Sequence, residues 1–257
     1  MLARMRPVSL AIAAVLAASA AVDASPLPAP AASPAKTDVP RVLVFTRTAG
    51  YRHEAIPTTI ATLRALGAQV GVEIEASEDP THFDDATLAG YRAVVFAHTT
   101  GEVLDADQQA AFERYVGHGG GYLGIHAAAD SGYTWPWYGD LVGAWFARHP
   151  EGLQAVRVVF EQTPAPLGLR EWQVVDEIYD YRRNPRADVR VIASIDPNSH
   201  ASGGMGDDHP IAWCHARAGG RAWYTGLGHD PALYADPVFG AHLLQGLRWT
   251  TGQADAC

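Results

Sequence analysis

Apolar residues fall into short runs, and between them polar segments carry apolar groups at helical spacing. Residues 41–46 and 93–96 are compact apolar runs rich in β-branched side chains, which predicts two buried strands. Residues 54–66 repeat apolar side chains every three to four positions, the pattern of an amphipathic helix. Residues 72–75 alternate and predict another strand. This order of strands and helices is typical of a parallel sheet with helices on both faces.

The alternation continues with a helix starting at Asp105 and a strand at 122–125, and it then becomes less regular. Three strands without long helices between them are predicted at 156–160, 173–181 and 189–195. A hairpin joining two strands and a last helix follow, at 211–215, 221–225 and 237–249. The sequence therefore predicts an α/β fold, mostly parallel, with added antiparallel strands in the second half.

The N-terminal residues have the composition of a targeting segment. Arg4 and Arg6 precede a short alanine-rich apolar run, and small residues then offer a cleavage site, so we predict a signal peptide over 1–24. A retained anchor is the alternative; a lipoprotein signal is disfavoured because no cysteine lies near the cleavage site. Residues 25–40 are rich in Pro and Ala and predict a linker, which leaves one folded domain over 41–252. This predicts a secreted or periplasmic protein.

Charge and cysteine content exclude several classes of function. The formal net charge is −9, which disfavours nucleic acid and, after signal cleavage, anionic membranes as partners. Two cysteines cannot form a disulfide framework. We expect Cys214 to be a small strand residue and Cys257 to lie unpaired in a frayed tail; one disulfide between them is the alternative. Nothing in the composition predicts an oligomeric state.

Histidines follow three of the predicted strands. His53 comes after the first strand and its loop, His98 ends the third, and His126 ends the fourth at a sharp turn within the glycine-rich segment 119–130. The carboxyl ends of parallel strands meet at one edge, so these side chains are expected to converge. Imidazoles with a carboxylate are ligands for zinc and related ions, although no paired-histidine or paired-cysteine motif is present.

Glu177 is the candidate carboxylate for this group. It lies in the apolar run 173–181, where a charge without a partner is costly, although alternation also allows it to face solvent. Asp176 is expected to face the opposite way. We therefore predict a tentative metal site at His53, His126 and Glu177, with the same three residues as catalytic groups.

Further candidates surround this edge as substrate contacts. The aromatic cluster at 133–138 offers ring faces that suit sugars, with a hydrophobic plug as the alternative. A loop after the last strand brings in one more histidine, which could act as ligand, base or substrate contact. The predicted substrate-binding residues are Arg52, His98, Trp135, Tyr138, His149 and His229.

Taken together, eight segments resemble those of the ThuA-like (trehalose utilisation) family, across nearly all of 41–252. They are Gly-Tyr-Arg-His at 50–53, His-Thr-Thr-Gly at 98–101, the turn 119–130, Trp-Pro-Trp-Tyr at 135–138, His-Pro at 149–150, Asp-Glu-Ile-Tyr at 176–179, His-Pro-Ile-Ala-Trp at 209–213 and Tyr-Thr-Gly-Leu-Gly-His at 224–229. The resemblance implies a flavodoxin-like sheet similar to that of class I glutamine amidotransferases, and a role in the metabolism of sugars, keto-sugars or glycosides.

The position of the amidotransferase nucleophile is informative. The cysteine of those enzymes would fall at the turn occupied by His126, and neither cysteine of this chain is nearby, so glutamine hydrolysis through a thioester is disfavoured. The leading hypothesis is an exported, metal-assisted isomerase, lyase or hydrolase acting on a small carbohydrate, without a nucleotide cofactor. The alternatives are a non-catalytic carbohydrate-binding protein and a structural domain.

Overall fold

The computed structural model describes most of the chain beyond the N-terminal segment. The described residues are 2, 39–162, 165–199, 204–216 and 219–257. The predicted signal peptide, apart from Leu2, and the linker as far as residue 38 lie outside them. Among the described residues, no helix has the length and apolar character needed to cross a membrane.

Eleven strands and five α-helices are present in the described residues. The strands are β1 Arg41–Phe45, β2 Glu73–Ser77, β3 Ala93–Ala97, β4 Gly121–Ile125, β5 Phe146–Arg148, β6 Gln154–Phe160, β7 Glu171–Asp176, β8 Asp180–Tyr181, β9 Arg190–Ile195, β10 His209–His215 and β11 Ala222–Thr225. The helices are α1 Ile56–Gln69, α2 Asp85–Leu88, α3 Ala106–Gly117, α4 Pro136–Val142 and α5 Pro237–Thr250.

Nine of the strands form one mixed sheet in the order β2-β1-β3-β4-β11-β10-β9-β6-β7. The first five are parallel to one another, and the remaining pairings are antiparallel. Every residue of β3, β4 and β11 is buried, because these central strands are covered on both faces. The predicted α/β fold, parallel first and antiparallel later, is confirmed.

Local side chains explain where the longer helices begin. At α3, Asp105 accepts a hydrogen bond from the Gln108 amide at 3.0 Å, and the Gln108 side chain accepts one from the Asp105 amide at 3.0 Å. This reciprocal capping box satisfies two amides that have no partner inside the helix. At α5, Asp236 accepts from the Val238 amide at 2.8 Å, and Pro237 occupies the first turn, where its missing N–H costs nothing.

The predicted single strand over 173–181 is wrong. β7 ends at Asp176, and β8 belongs to a separate two-stranded sheet with β5. At the point where the chain leaves the large sheet, the Asp176 carboxylate bonds to backbone amides of the loop after β11. Glu177 therefore stands at the exit of a strand and not within one.

The expectation of two unpaired cysteines is also wrong. Cys214 of β10 and Cys257 form a disulfide across a sequence separation of 43 residues. The C-terminal tail is therefore linked covalently to the antiparallel half of the sheet.

His242 on α5, which is not one of the strand-end histidines, is expected to make the stability of the protein depend on pH. Its ring is buried, and burial lowers its pKa to about 3, well below the value in an unfolded chain. Stability from the neutral ring is therefore present above about pH 6.5 and is lost as the pH falls. Below pH 6, the free energy of unfolding is expected to fall with pH less steeply in His242→Gln than in wild type. The difference between the two slopes is expected to be about 1.4 kcal/mol per pH unit. Urea titrations check this, with exposed His118→Gln as control; equal slopes contradict it.

Candidate functional site

Four histidines converge at the carboxyl edge of the parallel strands. His53 follows β1, His98 and His126 follow β3 and β4, and His229 comes from the loop after β11. The centroid of the His53 ring lies 5.3 Å from that of His98, 4.9 Å from that of His126 and 5.2 Å from that of His229. The expected convergence of His53, His98 and His126 is confirmed, and the topology adds a fourth ring.

Two of these histidines have an unusual backbone conformation. His98 has a φ of 57° and His126 a φ of 49°, in the left-handed region that β-carbon-bearing residues seldom adopt. His126 is also the first residue of a short 3-10 helix, His126–Asp130, directly after β4. The predicted sharp turn is therefore present, and it directs the ring out of the sheet edge. Strain of this kind persists where the surrounding structure holds the residue firmly.

The protonation of His126 follows from its surroundings. Nδ1 lies 2.8 Å from the carbonyl oxygen of Gly226, so in the neutral ring Nδ1–H donates and Nε2 carries the lone pair. Nε2 lies 3.4 Å from Glu177 Oε2 and 3.3 Å from His229 Nδ1, which is itself 3.3 Å from Glu177 Oε2. Three atoms that can each offer a lone pair thus form a nearly equilateral triangle. Lone pairs held this close repel one another unless a proton or a cation lies between the three atoms.

His53 completes a group of four candidate ligands. One donor atom from each of His53, His126, Glu177 and His229 lies within 4.8 Å of the others. His53 is buried, and its Nδ1 has no hydrogen-bond partner among the described residues. Three imidazoles and one carboxylate are a donor set that suits Zn²⁺ and related divalent ions.

The electrostatics of the cluster fit this description. Burial lowers the pKa of His53 to about 3, assisted by the nearby His126 and His229 rings. Burial tends to raise the pKa of Glu177, but hydrogen bonds with His126 and His229 outweigh it and hold that pKa below its usual range. The Glu177 carboxylate raises the pKa of His229 through its hydrogen bond, in spite of partial burial. A neutral imidazole and an ionised carboxylate are the forms that bind metals, so His53 and Glu177 are in the ligand form, whereas His229 would release a proton when a metal binds.

Asp176 orients the loop that carries His229. Its buried carboxylate accepts hydrogen bonds from the amides of Gly228 at 2.6 Å, His229 at 3.4 Å and Asp230 at 2.8 Å. Burial raises the pKa of Asp176, and the amides oppose that effect. The consecutive pair Asp176 and Glu177 therefore holds the loop with one side chain and reaches into the cluster with the other.

A pocket of about 350 Å³ opens over the cluster, a size within the range of small-molecule sites. Its lining residues are Tyr51, His53, Asp130, Phe146, His149, Glu177, Tyr179 and His229. Tyr179 packs on His126 with ring centroids 4.2 Å apart, and Phe146 packs on Tyr179 at 4.2 Å. The small β5–β8 sheet thus contributes an aromatic wall beside the polar cluster.

Two of the predicted substrate contacts lie near the cluster. His149 lines the pocket, with Nδ1 3.3 Å from Glu177 Oε1. His98 lies behind the pocket, fully buried, with Nε2 2.9 Å from Thr59 Oγ1 and 3.0 Å from the Tyr234 hydroxyl. His98 therefore supports the neighbouring rings and is not accessible to a substrate.

Three other predicted contacts do not line the pocket. Arg52 is half-exposed and pairs with Glu78 at 2.6 Å. Trp135 and Tyr138 are buried, and their rings stack on each other with centroids 5.3 Å apart. The expectation that these two rings face a sugar is wrong: they pack into the core around α4, and their polar atoms bond within the protein.

Other residues that line the pocket were not predicted as site residues. Tyr51 lies within the Gly-Tyr-Arg-His segment and is 64% exposed at the pocket rim. Asp130 closes the segment that begins at the glycine turn, and Tyr179 lies two residues after Glu177. The only signal for these three residues in the sequence is that each lies close in the chain to a predicted site residue.

A comparison with protein-family models finds the ThuA family, described as trehalose utilisation, over residues 41–250. The chain belongs to the ThuA family. The resemblance seen in the sequence motifs is thereby confirmed, and it links the protein to carbohydrate utilisation. No curated protein compared with the chain matches it.

Solved structures with the same fold include other ThuA-like proteins. A ThuA-like protein from Bacteroides uniformis ATCC 8492 is 22% identical, with a TM-score of 0.68, and the match covers 86% of this chain and 95% of that one. One from Parabacteroides merdae ATCC 43184 is 18% identical, with a TM-score of 0.64 and coverage of 84% and 92%. A β-galactosidase from Bacillus circulans sp. alkalophilus matches at 14% identity and a TM-score of 0.54, with 84% of this chain covered but 31% of that chain.

Proposed function

We propose that this ThuA-family protein is an exported, metal-dependent enzyme that acts on a sugar or keto-glycoside as an isomerase, lyase or hydrolase. The observation that carries the proposal is the cluster of His53, His126, Glu177 and His229 at the base of a pocket. The family supplies the substrate class, and the cluster supplies the chemistry.

The dimensions of the cluster support a metal ion. The centre of a triangle with sides of 3.3–3.4 Å lies about 1.9 Å from each corner, close to the 2.0–2.2 Å distances that Zn²⁺ takes to nitrogen and oxygen. His53, His126, Glu177 and His229 would hold the ion. When bound, such an ion supplies a Lewis acid that polarises a carbonyl or hydroxyl oxygen.

The residues around the cluster have supporting roles. The Gly226 carbonyl orients His126 through Nδ1–H, and Asp176 orients His229 through its backbone amide. Contacts of this kind set the tautomer and direction of metal ligands. His149 and Tyr51 stand at the pocket opening, where they can contact a sugar and exclude water.

The disulfide supports the proposed export. Structural disulfides persist in the periplasm and outside cells, and they are rare in reducing cytosol. The Cys214–Cys257 bond therefore agrees with the predicted signal peptide. N-terminal sequencing of protein recovered from the periplasm or medium checks this, with a mature start near residue 25 expected.

The main test combines metal analysis with a substrate panel. Protein purified without chelators is expected to contain about one equivalent of a divalent metal, and to convert at least one glycoside or 3-keto-glycoside. Dialysis against a chelator is expected to remove the activity, and added metal to restore it. Sugar binding without turnover would favour the non-catalytic alternative, and absence of both metal and carbohydrate binding would refute the proposal.

Tyr51 is expected to be the sugar-stacking residue in place of Trp135 and Tyr138. Tyr51 is 64% exposed, and its ring packs edge-on against His53, with centroids 4.9 Å apart. We expect Tyr51→Ala to weaken sugar binding about tenfold, while Tyr51→Phe keeps most of the affinity, because the ring face and not the hydroxyl makes the contact. Calorimetric titration measures both variants. Equal weakening by Phe and Ala would show that the hydroxyl makes the contact.

A further inference from the structure

The pocket contains a second carboxylate besides Glu177. Asp130 lines the same cavity as His53, Glu177 and His229, but it does not belong to the group of four candidate ligands. A carboxylate that binds a metal ion is a much weaker base, so Glu177 would be a poor proton acceptor in the metal-bound protein. Among the described residues that line the pocket, Asp130 is then the acidic side chain left free to move a proton.

The protein holds Asp130 in a defined position. It is the last residue of the 3-10 helix that starts at His126, and its carbonyl accepts a hydrogen bond from the Gly101 amide at 2.8 Å. The Tyr133 hydroxyl donates to Asp130 Oδ1 at 2.6 Å. The Arg182 guanidinium lies over the Tyr133 ring, 4.0 Å from its centroid. Oδ1 of Asp130 is thus held by a hydrogen bond, and Oδ2 has no hydrogen bond within the described residues.

The environment suits a base that both takes and returns a proton. Partial burial raises the pKa of Asp130, while the Tyr133 hydroxyl, His126 and Arg182 act against this rise. A carboxylate with a raised pKa is a stronger base than an exposed one, and a pKa closer to neutral suits a group that takes a proton and later gives it up. The alternative base in the pocket is His149, whose Nδ1 lies 2.8 Å from the Pro150 carbonyl on an exposed loop.

We propose that Asp130 is the catalytic acid–base residue of the pocket, and that it removes the proton from the carbon next to the carbonyl of a 3-keto-glycoside. This deepens the proposed function and rests on it. It can be distinguished from hydrolysis by experiment, because proton abstraction at that carbon leads to β-elimination, whereas direct hydrolysis does not require it.

The step balances without another reactant. Asp130 takes the proton from carbon 2, the C–H electron pair forms a double bond to carbon 3, and the carbonyl π pair moves to the carbonyl oxygen. When the carbonyl re-forms, the double bond shifts to carbons 1 and 2, and the bond from carbon 1 to the glycosidic oxygen breaks. That oxygen leaves with its electron pair and takes the proton from Asp130, which ends as the carboxylate.

Hydrogen exchange tests the first half of this sequence directly. Metal-loaded mature protein is incubated in D₂O with the methyl α- and β-3-keto-glucosides, and NMR follows the loss of the carbon 2 proton. We expect Asp130→Asn to slow exchange at least a hundredfold, while metal content and calorimetric affinity for the same sugars stay within about threefold of wild type. The matched control is Asp140→Asn at an exposed position of α4, which removes the same charge outside the pocket and is expected to exchange normally.

The outcomes separate the two proposals. Exchange at the wild-type rate in Asp130→Asn, or exchange lost only in His149→Gln, overturns the role of Asp130 and leaves the metal-dependent enzyme standing. The role of Asp130 is also overturned by a third outcome. In it, wild type converts these sugars with no more deuterium exchange at carbon 2 than the conversion itself requires, and Asp130→Asn converts them at the wild-type rate. Wild type that neither binds nor converts these two sugars overturns this inference, and the proposed function then stands or falls with metal content and the full substrate panel. If Asp130→Asn unfolds at a lower temperature than wild type, exchange is measured for Asp130→Ser at a temperature at which that variant is folded. The same criteria then apply to it.

Discussion

Replacing His126 with alanine is expected to lower the affinity for Zn²⁺ or Co²⁺ at least a hundredfold. The reason is geometric: His126 Nε2 forms one corner of the triangle with Glu177 Oε2 and His229 Nδ1, and the Gly226 carbonyl fixes its lone pair toward them. Loss of one ligand from a four-ligand set removes a strong bond, and alanine offers no replacement. Titration with Co²⁺, followed by its visible spectrum, measures the change.

One control variant and one variant outside the ligand set make the result specific. His82→Ala removes a histidine that contacts Glu75 and Asp79 and belongs neither to the four candidate ligands nor to the pocket lining, and it is expected to leave metal affinity unchanged. Asp176→Asn keeps every ligand but weakens the hold on the His229 loop, and it is expected to lower affinity about tenfold. Unchanged affinity in His126→Ala would contradict the four-residue site.

Removing the disulfide is expected to lower the free energy of unfolding by about 2–4 kcal/mol. The bond joins Cys214 to Cys257 across 43 residues, and a cross-link of that span restricts the unfolded chain. Cys257→Ser is the cleaner variant, because Cys214 is fully buried and its truncation also removes packing. Urea unfolding of the mature protein under oxidising conditions measures the loss.

A double-variant cycle separates the bond from the side chains. If the two cysteines act through one bond, Cys214→Ala with Cys257→Ser should cost little more than Cys214→Ala alone. Dithiothreitol should destabilise wild type and leave both variants unaffected. A wild type that is insensitive to reduction, with additive effects in the variants, would contradict the structural role of the bond.

The fold could be predicted from sequence because its determinants are local. A short apolar run specifies a strand and spacing of three to four residues specifies an amphipathic helix, whatever lies elsewhere in the chain. The alternation of the two specifies parallel pairing, and parallel pairing places strand ends at one edge. His53, His98 and His126 follow such strands, so their convergence was predictable from their positions alone.

Composition could not decide which aromatic residues are exposed. Trp135, Tyr138 and Tyr51 all have aromatic side chains with a polar group, but the first two, at the start of α4, pack into the core, while Tyr51 extends from the loop after β1. A short loop and a two-turn helix have too little periodicity to reveal which side faces the core. Burial at these positions depends on neighbours that are distant in sequence.

The sequence by itself determined the order of the parallel strands and their long helices, the histidines at the strand ends and the family. Tertiary structure alone decided that Glu177 leaves the sheet, how close His229 lies to His126 and that Asp130 shares their pocket. The physical reason is that these placements arise from long-range contacts. Asp176 bonds to amides 52–54 residues away, and Gly226 orients a ring 100 residues earlier. Local periodicity carries no information about partners so far apart, and only the folded chain brings them within hydrogen-bond distance.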